Sequence, residues 1–230
     1  MRLEIVKTRR QVSAQAKNGP RSSTRLAAIA QAREATRKPL CALVLLLASF
    51  GACADTFTSD EVITDPRPER FSVCSDHGCA RVTVVGLAPW QWQAVRAVFR
   101  RGQRDAAAER ERIREAVSLM EYITGPLAGT AGDRGGDLPG LGLPGQMDCI
   151  DEATNTTLYL VMLKNQGLLK FHAVEDRASR GFFAGGWPHT TAVIRETASG
   201  SLFAVDSWFL DNGKPPFIVP LDAWRAGWTP

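Results

Sequence analysis

Missing from this 230-residue chain are a bilayer-length apolar run, a phosphate-binding glycine loop, an internal repeat and, past its leader, any cluster of basic charge. A membrane helix needs about 20 apolar residues, and the run at 40–50 (LCALVLLLASF) has eleven. The stretch 128–146 holds seven glycines and two prolines, but lacks the G-x-x-x-x-G-K-[ST] spacing and has no strand directly ahead. Its length fits the wall of a functional site better than a linker. The net charge of +4 is a property of the leader. Residues 1–38 carry ten Lys/Arg against two acids, and without residues 1–54 the count is 18 Lys/Arg to 22 Asp/Glu, a net of −4. No basic face remains for nucleic acid, so a nucleic-acid partner is excluded.

What the N-terminus does have is a charged region, an eleven-residue apolar run and then GACAD, the build of an export signal covering residues 1–54. Two cleavages fit. Ala52-Cys53-Ala54 suits a signal peptidase cutting before Asp55, whereas Phe50-Gly51-Ala52-Cys53 suits a lipobox that makes Cys53 a lipidated first residue. The expected location is therefore the periplasm, or a membrane to which a lipoprotein is anchored through Cys53. Residues 55–70 (with TDPRPER) read as a linker, and 71–230 as the working domain, its N-terminal helical part at 89–124.

An oxidising compartment favours a Cys74–Cys79 disulfide across CSDHGC and leaves Cys149 unpaired. A metal site made from Cys74, Asp76, His77 and Cys79 would crowd all its ligands into one six-residue loop. No metal or cofactor is expected.

Apolar residues at helical spacing predict one helix from Pro89 and a second from Asp105 to Thr124, stopped by Gly125-Pro126. A third runs from about Asp148 to Asn165, with Asp148 as cap and Asp151 and Glu152 as first-turn acids. Strand-like pieces follow: KFHAVED, HTTAVIRE, SLFAVDSWF and PPFIVPL, with a turn at Ala198-Ser199-Gly200. Helices first and then an antiparallel sheet indicate an α+β fold.

A thiol attacks a carbonyl as thiolate, and a helix N-terminus or a neighbouring imidazolium lowers its pKa. Cys149 opens a helix. Forty residues on, His189 opens HTTAVIRE, and seventeen further lies Asp206 in LFAVDSW. A short hairpin sets the start of one strand opposite the end of the next, so His189 and Asp206 are expected to face each other, the carboxylate orienting the base. Gln146, three residues before the thiol, is a candidate oxyanion donor. Trp187 and Trp208 flank the base and the carboxylate, while His172 reads as a core histidine.

In MDCIDEATNTTLYLVMLKNQGLL and PHTTAVIRETASGSLFAVDSW the chain resembles the transglutaminase-like superfamily, nearest to its exported bacterial cysteine proteinases. The resemblance covers roughly residues 146–208. It implies a papain-like core, a Cys-bearing helix packed on an antiparallel sheet, with Cys149 as nucleophile, His189 as base and Asp206 as orienter. It also implies hydrolysis or transfer of an amide acyl group, with envelope protein or peptide as the substrate partner. Two alternatives stand beside it: a non-catalytic envelope scaffold on the same fold, and a cell-wall peptide endopeptidase sharing only the Cys149–His189 pair.

Overall fold

The computed structural model describes residues 61–136, 140, 142–181 and 188–230. The expected export signal, Cys53 and Trp187 lie outside these residues. Among the described residues no helix is long and apolar enough to cross a membrane.

A two-stranded antiparallel ribbon, β1 (Phe71–Ser75) and β2 (Arg81–Val85), comes first. It is followed by α1 (Pro89–Phe99) and α2 (Ala106–Ala128), and then by α3 (Cys149–Asn165). The C-terminal third is an antiparallel meander in the order β3-β4-β5-β6, with β3 at His172–Arg180, β4 at His189–Glu196, β5 at Leu202–Asp206 and β6 at Phe217–Pro220. A one-turn helix, α4 (Leu221–Arg225), closes it. The fold is thus α+β, helices first and then an antiparallel sheet.

Local chemistry explains the boundaries. Pro89 starts α1, where its missing N–H costs nothing, and Gln91 Oε1 accepts from the Ala88 N–H at 2.8 Å. Asp105 caps α2 through the Ala108 N–H. That helix does not stop at Gly125-Pro126 as expected. It runs through Pro126 to Ala128 and ends at Gly129, whose φ of 81° supplies the left-handed turn. Gly125 is needed for packing: a Cβ there would lie 2.8 Å from the Asn212 side-chain amide.

The linker expected at 55–70 is corrected from residue 61 onward. Val62 is buried beside Cys74, Cys79 and Leu158, and the Ile63 N–H donates to Ser72 Oγ. An apolar residue and backbone donors with partners on the domain make this segment part of it.

The main core lies between the helices and one face of the meander. Val95, Ile113, Met120, Tyr159 and Leu160 meet Ala192, Ile194 and Val205 there. Successive residues of a strand face opposite sides. The other face of the sheet carries Val193 and Ala204 against Leu221 and Trp224.

Candidate active site

Asp148, extended just ahead of α3, accepts the Ile150 and Asp151 N–H groups on Oδ1, both at 2.9 Å. Asp151 Oδ2 reaches back to the Asp148 N–H at 3.1 Å, which closes the capping box. The cap leaves Cys149 as the first residue of the helix, half-buried and free of any disulfide.

A second support comes from the N-terminal ribbon. Cys74 and Cys79 form the expected disulfide. The loop it closes donates three N–H groups to the two capping acids: His77 to Asp151 Oδ2 at 2.9 Å, Gly78 to Asp148 Oδ2 at 3.0 Å, and Cys79 to Asp151 Oδ1 at 2.6 Å. Asp76, His77 and Cys79 all take positive φ, at 67°, 69° and 55°. Each costs a non-glycine residue about 1–2 kcal/mol, so the loop keeps this shape through the bridge and these bonds. Burial, then the charge of Asp148, push the Asp151 acid up to about 7, against the pull of its three N–H donors. The sulfurs and an Asp151 oxygen lie within 4.8 Å of one another, but bonded sulfurs offer no thiolate to a metal.

His189 Nε2 lies 2.7 Å from Asp206 Oδ2. The expectation that they stand directly opposite needs a small correction. The register sets Ala192 against Val205 and so Thr191 against Asp206, one pair further along. His189 and Asp206 are diagonal neighbours on one face, and the imidazole spans the offset. That face is the one bearing Val193 and Trp224. The Trp224 indole Nε1 donates to the same Asp206 Oδ2 at 2.7 Å. The rings of Trp208, Phe209 and Trp224 stand 4.9, 5.2 and 5.5 Å from the imidazole, centroid to centroid. This aromatic wall keeps water from the His–Asp bond. Trp208 was legible in the sequence. Trp224, eighteen residues past the carboxylate, carried no signal beyond being an aromatic near the end of the chain.

The thiol meets the backbone at the start of β4, beside the base. The backbone N–H of Thr190, the residue after the base, points at Cys149 Sγ, as does the thiol's own N–H. Among the described residues no hydrogen bond joins Cys149 directly to His189. The expected lowering of the thiol pKa does not hold. Burial pushes it up to about 11, and the carboxylates of Asp148 and Asp206 add to the rise, outweighing the two N–H groups. Asp148 is itself the helix cap, so its charge offsets the favourable end of the helix dipole. The resting sulfur is a protonated thiol.

The oxyanion role expected of Gln146 is also corrected. Its Nε2 donates to Gly132 O at 3.0 Å and its Oε1 accepts from the Arg134 N–H at 3.2 Å. Both ends of the amide therefore serve the glycine-rich loop. The loop does border the site: Gly136 N–H donates to Trp208 O at 2.6 Å, and Met147 N–H to Asp133 Oδ1 at 2.6 Å.

His172 is a core histidine, as expected. Glu109 accepts from its backbone and faces its ring Nδ1, both at 3.0 Å. Burial pushes the Glu109 acid up, but the bonds from His172, Lys170 and Phe171 outweigh it and hold the acid low. Glu152 is more than a first-turn acid. It is buried, neither carboxyl oxygen has a hydrogen-bond partner among the described residues, and its pKa is raised by burial and by Glu121, Asp133, Asp151 and Asp206.

Comparison with protein-family models, curated proteins and solved structures finds no match to this chain. What the site can do is decided by its own atoms.

Proposed function

We propose that this protein is a cysteine hydrolase or acyltransferase of transglutaminase-like fold, exported to the cell envelope and acting on amide bonds of protein or peptide there. One observation carries the reading: the imidazole at the start of β4 is held through Nε2 by the buried Asp206, with Cys149 at the head of α3 against the next backbone N–H. Nδ1 is thereby left for the thiol proton. The order of elements supports a papain-like core, since the Cys-bearing helix precedes adjacent antiparallel strands bearing His and Asp.

Because the resting sulfur is protonated, the thiol proton passes to His189 Nδ1 as the S–C bond forms, not beforehand. The tetrahedral oxyanion is met by the Cys149 and Thr190 N–H groups. His189 then returns the proton to the leaving amine as the C–N bond breaks, giving a thioester on Cys149. Water or a second amine attacks the thioester, again with His189 as base, and regenerates the thiol. The export signal at 1–54, with or without lipidation at Cys53, would bring the protein to its substrate.

The elevated thiol pKa favours one competing reading, an envelope scaffold on the same fold with no turnover. Acylation separates the two. The protein is incubated with p-nitrophenyl acetate and with N-acyl peptide amides, and acyl-Cys149 is followed by mass spectrometry. The enzyme reading expects rapid acylation that falls at least a hundredfold in His189→Ala. Equal acylation of wild type and variant would overturn it in favour of the scaffold.

A further inference from the structure

We infer that the disulfide loop Cys74–Cys79 is a positioning latch for Cys149, so that the site is competent only when the bridge is closed. For its catalytic consequence this rests on the acyl chemistry proposed above. The latch itself stands on separate geometry.

Five hydrogen bonds tie the loop to the head of α3 and the turn before it. Three are the N–H bonds to Asp148 and Asp151. The Asp76 N–H donates to Gln146 O at 2.9 Å, and Asp76 Oδ1 accepts from the Gly145 N–H at 2.7 Å. One turn deeper, Asn155 clasps the first bridging residue, accepting the Cys74 N–H at 2.7 Å and donating to its carbonyl at 2.9 Å. The loop thus grips both sides of Cys149, the acids that cap its helix and the turn that delivers it.

The grip depends on a backbone that does not form unaided. Four successive residues, 76 to 79, have positive φ, and only Gly78 among them is glycine. This row of left-handed residues turns the N–H groups of 77, 78 and 79 inward as a concave nest for carboxylates. With the bridge open, the loop can relax to ordinary φ values, the N–H groups turn away, and both capping acids lose their donors. The first turn of α3 then frays, and the Cys149 and Thr190 N–H groups no longer converge on one point.

The bridge is buried, Cys74 fully and Cys79 at 4 % exposure. It is therefore closed once, during folding, and is not suited to rapid cycling. Closure gives two electrons and two protons to an exchanging disulfide. A dithiol such as dithiothreitol returns them and leaves as its own cyclic disulfide. An exported thiol enzyme built this way stays idle in a reducing compartment and becomes competent after export.

The test compares wild type, Cys74→Ala/Cys79→Ala and Asp151→Asn by hydrogen exchange of the amides of residues 149–153 and by acylation of Cys149 with p-nitrophenyl acetate. We expect both variants to exchange these amides at least tenfold faster, and to acylate at least tenfold more slowly, at temperatures where circular dichroism shows them folded. Asp151→Asn keeps the bridge and removes the carboxylate it serves, so it decides the matter if the bridgeless variant does not fold. A loss confined to melting temperature, with exchange and acylation at wild-type rates, overturns the latch. Should wild type itself fail to acylate, the proposed enzyme falls, and the exchange rates alone decide the latch.

Discussion

Trp224 and His189 share one acceptor: the indole Nε1 and the imidazole Nε2 both lie 2.7 Å from Asp206 Oδ2. The indole donor sets the rotamer of the carboxylate, and the carboxylate sets the tautomer of the base. Arg180 completes the setting, its guanidinium 4.6 Å above the Trp224 ring and bonded to the Trp224 and Trp228 carbonyls.

Trp224→Phe keeps most of the buried ring and removes only the donor. Acylation of Cys149 should fall by about tenfold, in line with one lost hydrogen bond. Asp206→Asn should cost about 10³- to 10⁴-fold, because an amide can stabilise the wrong tautomer. Nitrogen-15 NMR of His189 should report a mixed tautomer in both variants. A pure wild-type tautomer in Asp206→Asn would contradict the assignment.

Reactivity of the resting thiol should climb with pH. At a pKa of about 11 only about 10⁻⁴ of the sulfur is ionised at pH 7. Alkylation of Cys149 by iodoacetamide should therefore rise roughly tenfold per pH unit from 7 to 10. A plateau reached by pH 6 would reveal a preformed thiolate and rule out proton transfer in step with attack.

The buried Glu121 makes stability fall as pH rises. Burial pushes Glu121 up to about 7 from an ordinary 4.5, with Asp133 adding to the rise. Between those values the unfolded chain has lost a proton that the folded one keeps. The folded state therefore loses ground from about pH 4.5, and the loss is complete above about 7, at most roughly 3 kcal/mol. Glu121→Gln keeps an acceptor for the Gly213 N–H, which Oε2 accepts at 3.0 Å. Thermal melts should show the variant gaining on wild type at pH 8 and not at pH 4. Parallel pH profiles would refute the assignment.

Gly145 cannot be replaced cheaply. Its φ is +78°, and a Cβ there would lie 2.2 Å from Gly129 O. Gly145→Ala should lower stability by roughly 1–3 kcal/mol in denaturant titrations. It should also slow Cys149 acylation, because this residue leads the chain into the thiol turn. A variant with wild-type stability would show that the turn has room to move.

Much of this was legible along the chain. Periodicity placed the helices and the meander, and β4 runs from His189 to Glu196 as the strand-like HTTAVIRE indicates. An export signal ahead of CSDHGC pointed to the Cys74–Cys79 bridge that forms. Spacing through a short turn brought His189 near Asp206, because a hairpin turns local sequence distance into spatial distance. Helix α2 passed through Gly125-Pro126 because packing against the Asn212 loop outweighed the stop signal there.

The sequence by itself determined the α+β class, the hairpin that joins imidazole to carboxylate, and the helix that starts with a thiol. These depend on residues close in the chain, where periodicity and turn length act directly. Tertiary structure alone decided that burial raises the thiol pKa, that Gln146 serves a loop, that Trp224 holds Asp206, and that a disulfide ribbon some seventy residues upstream braces the acids that cap the thiol helix. Those outcomes depend on burial and on charges brought together from distant segments. Electrostatic fields and desolvation act through space, so no local pattern of residues records them.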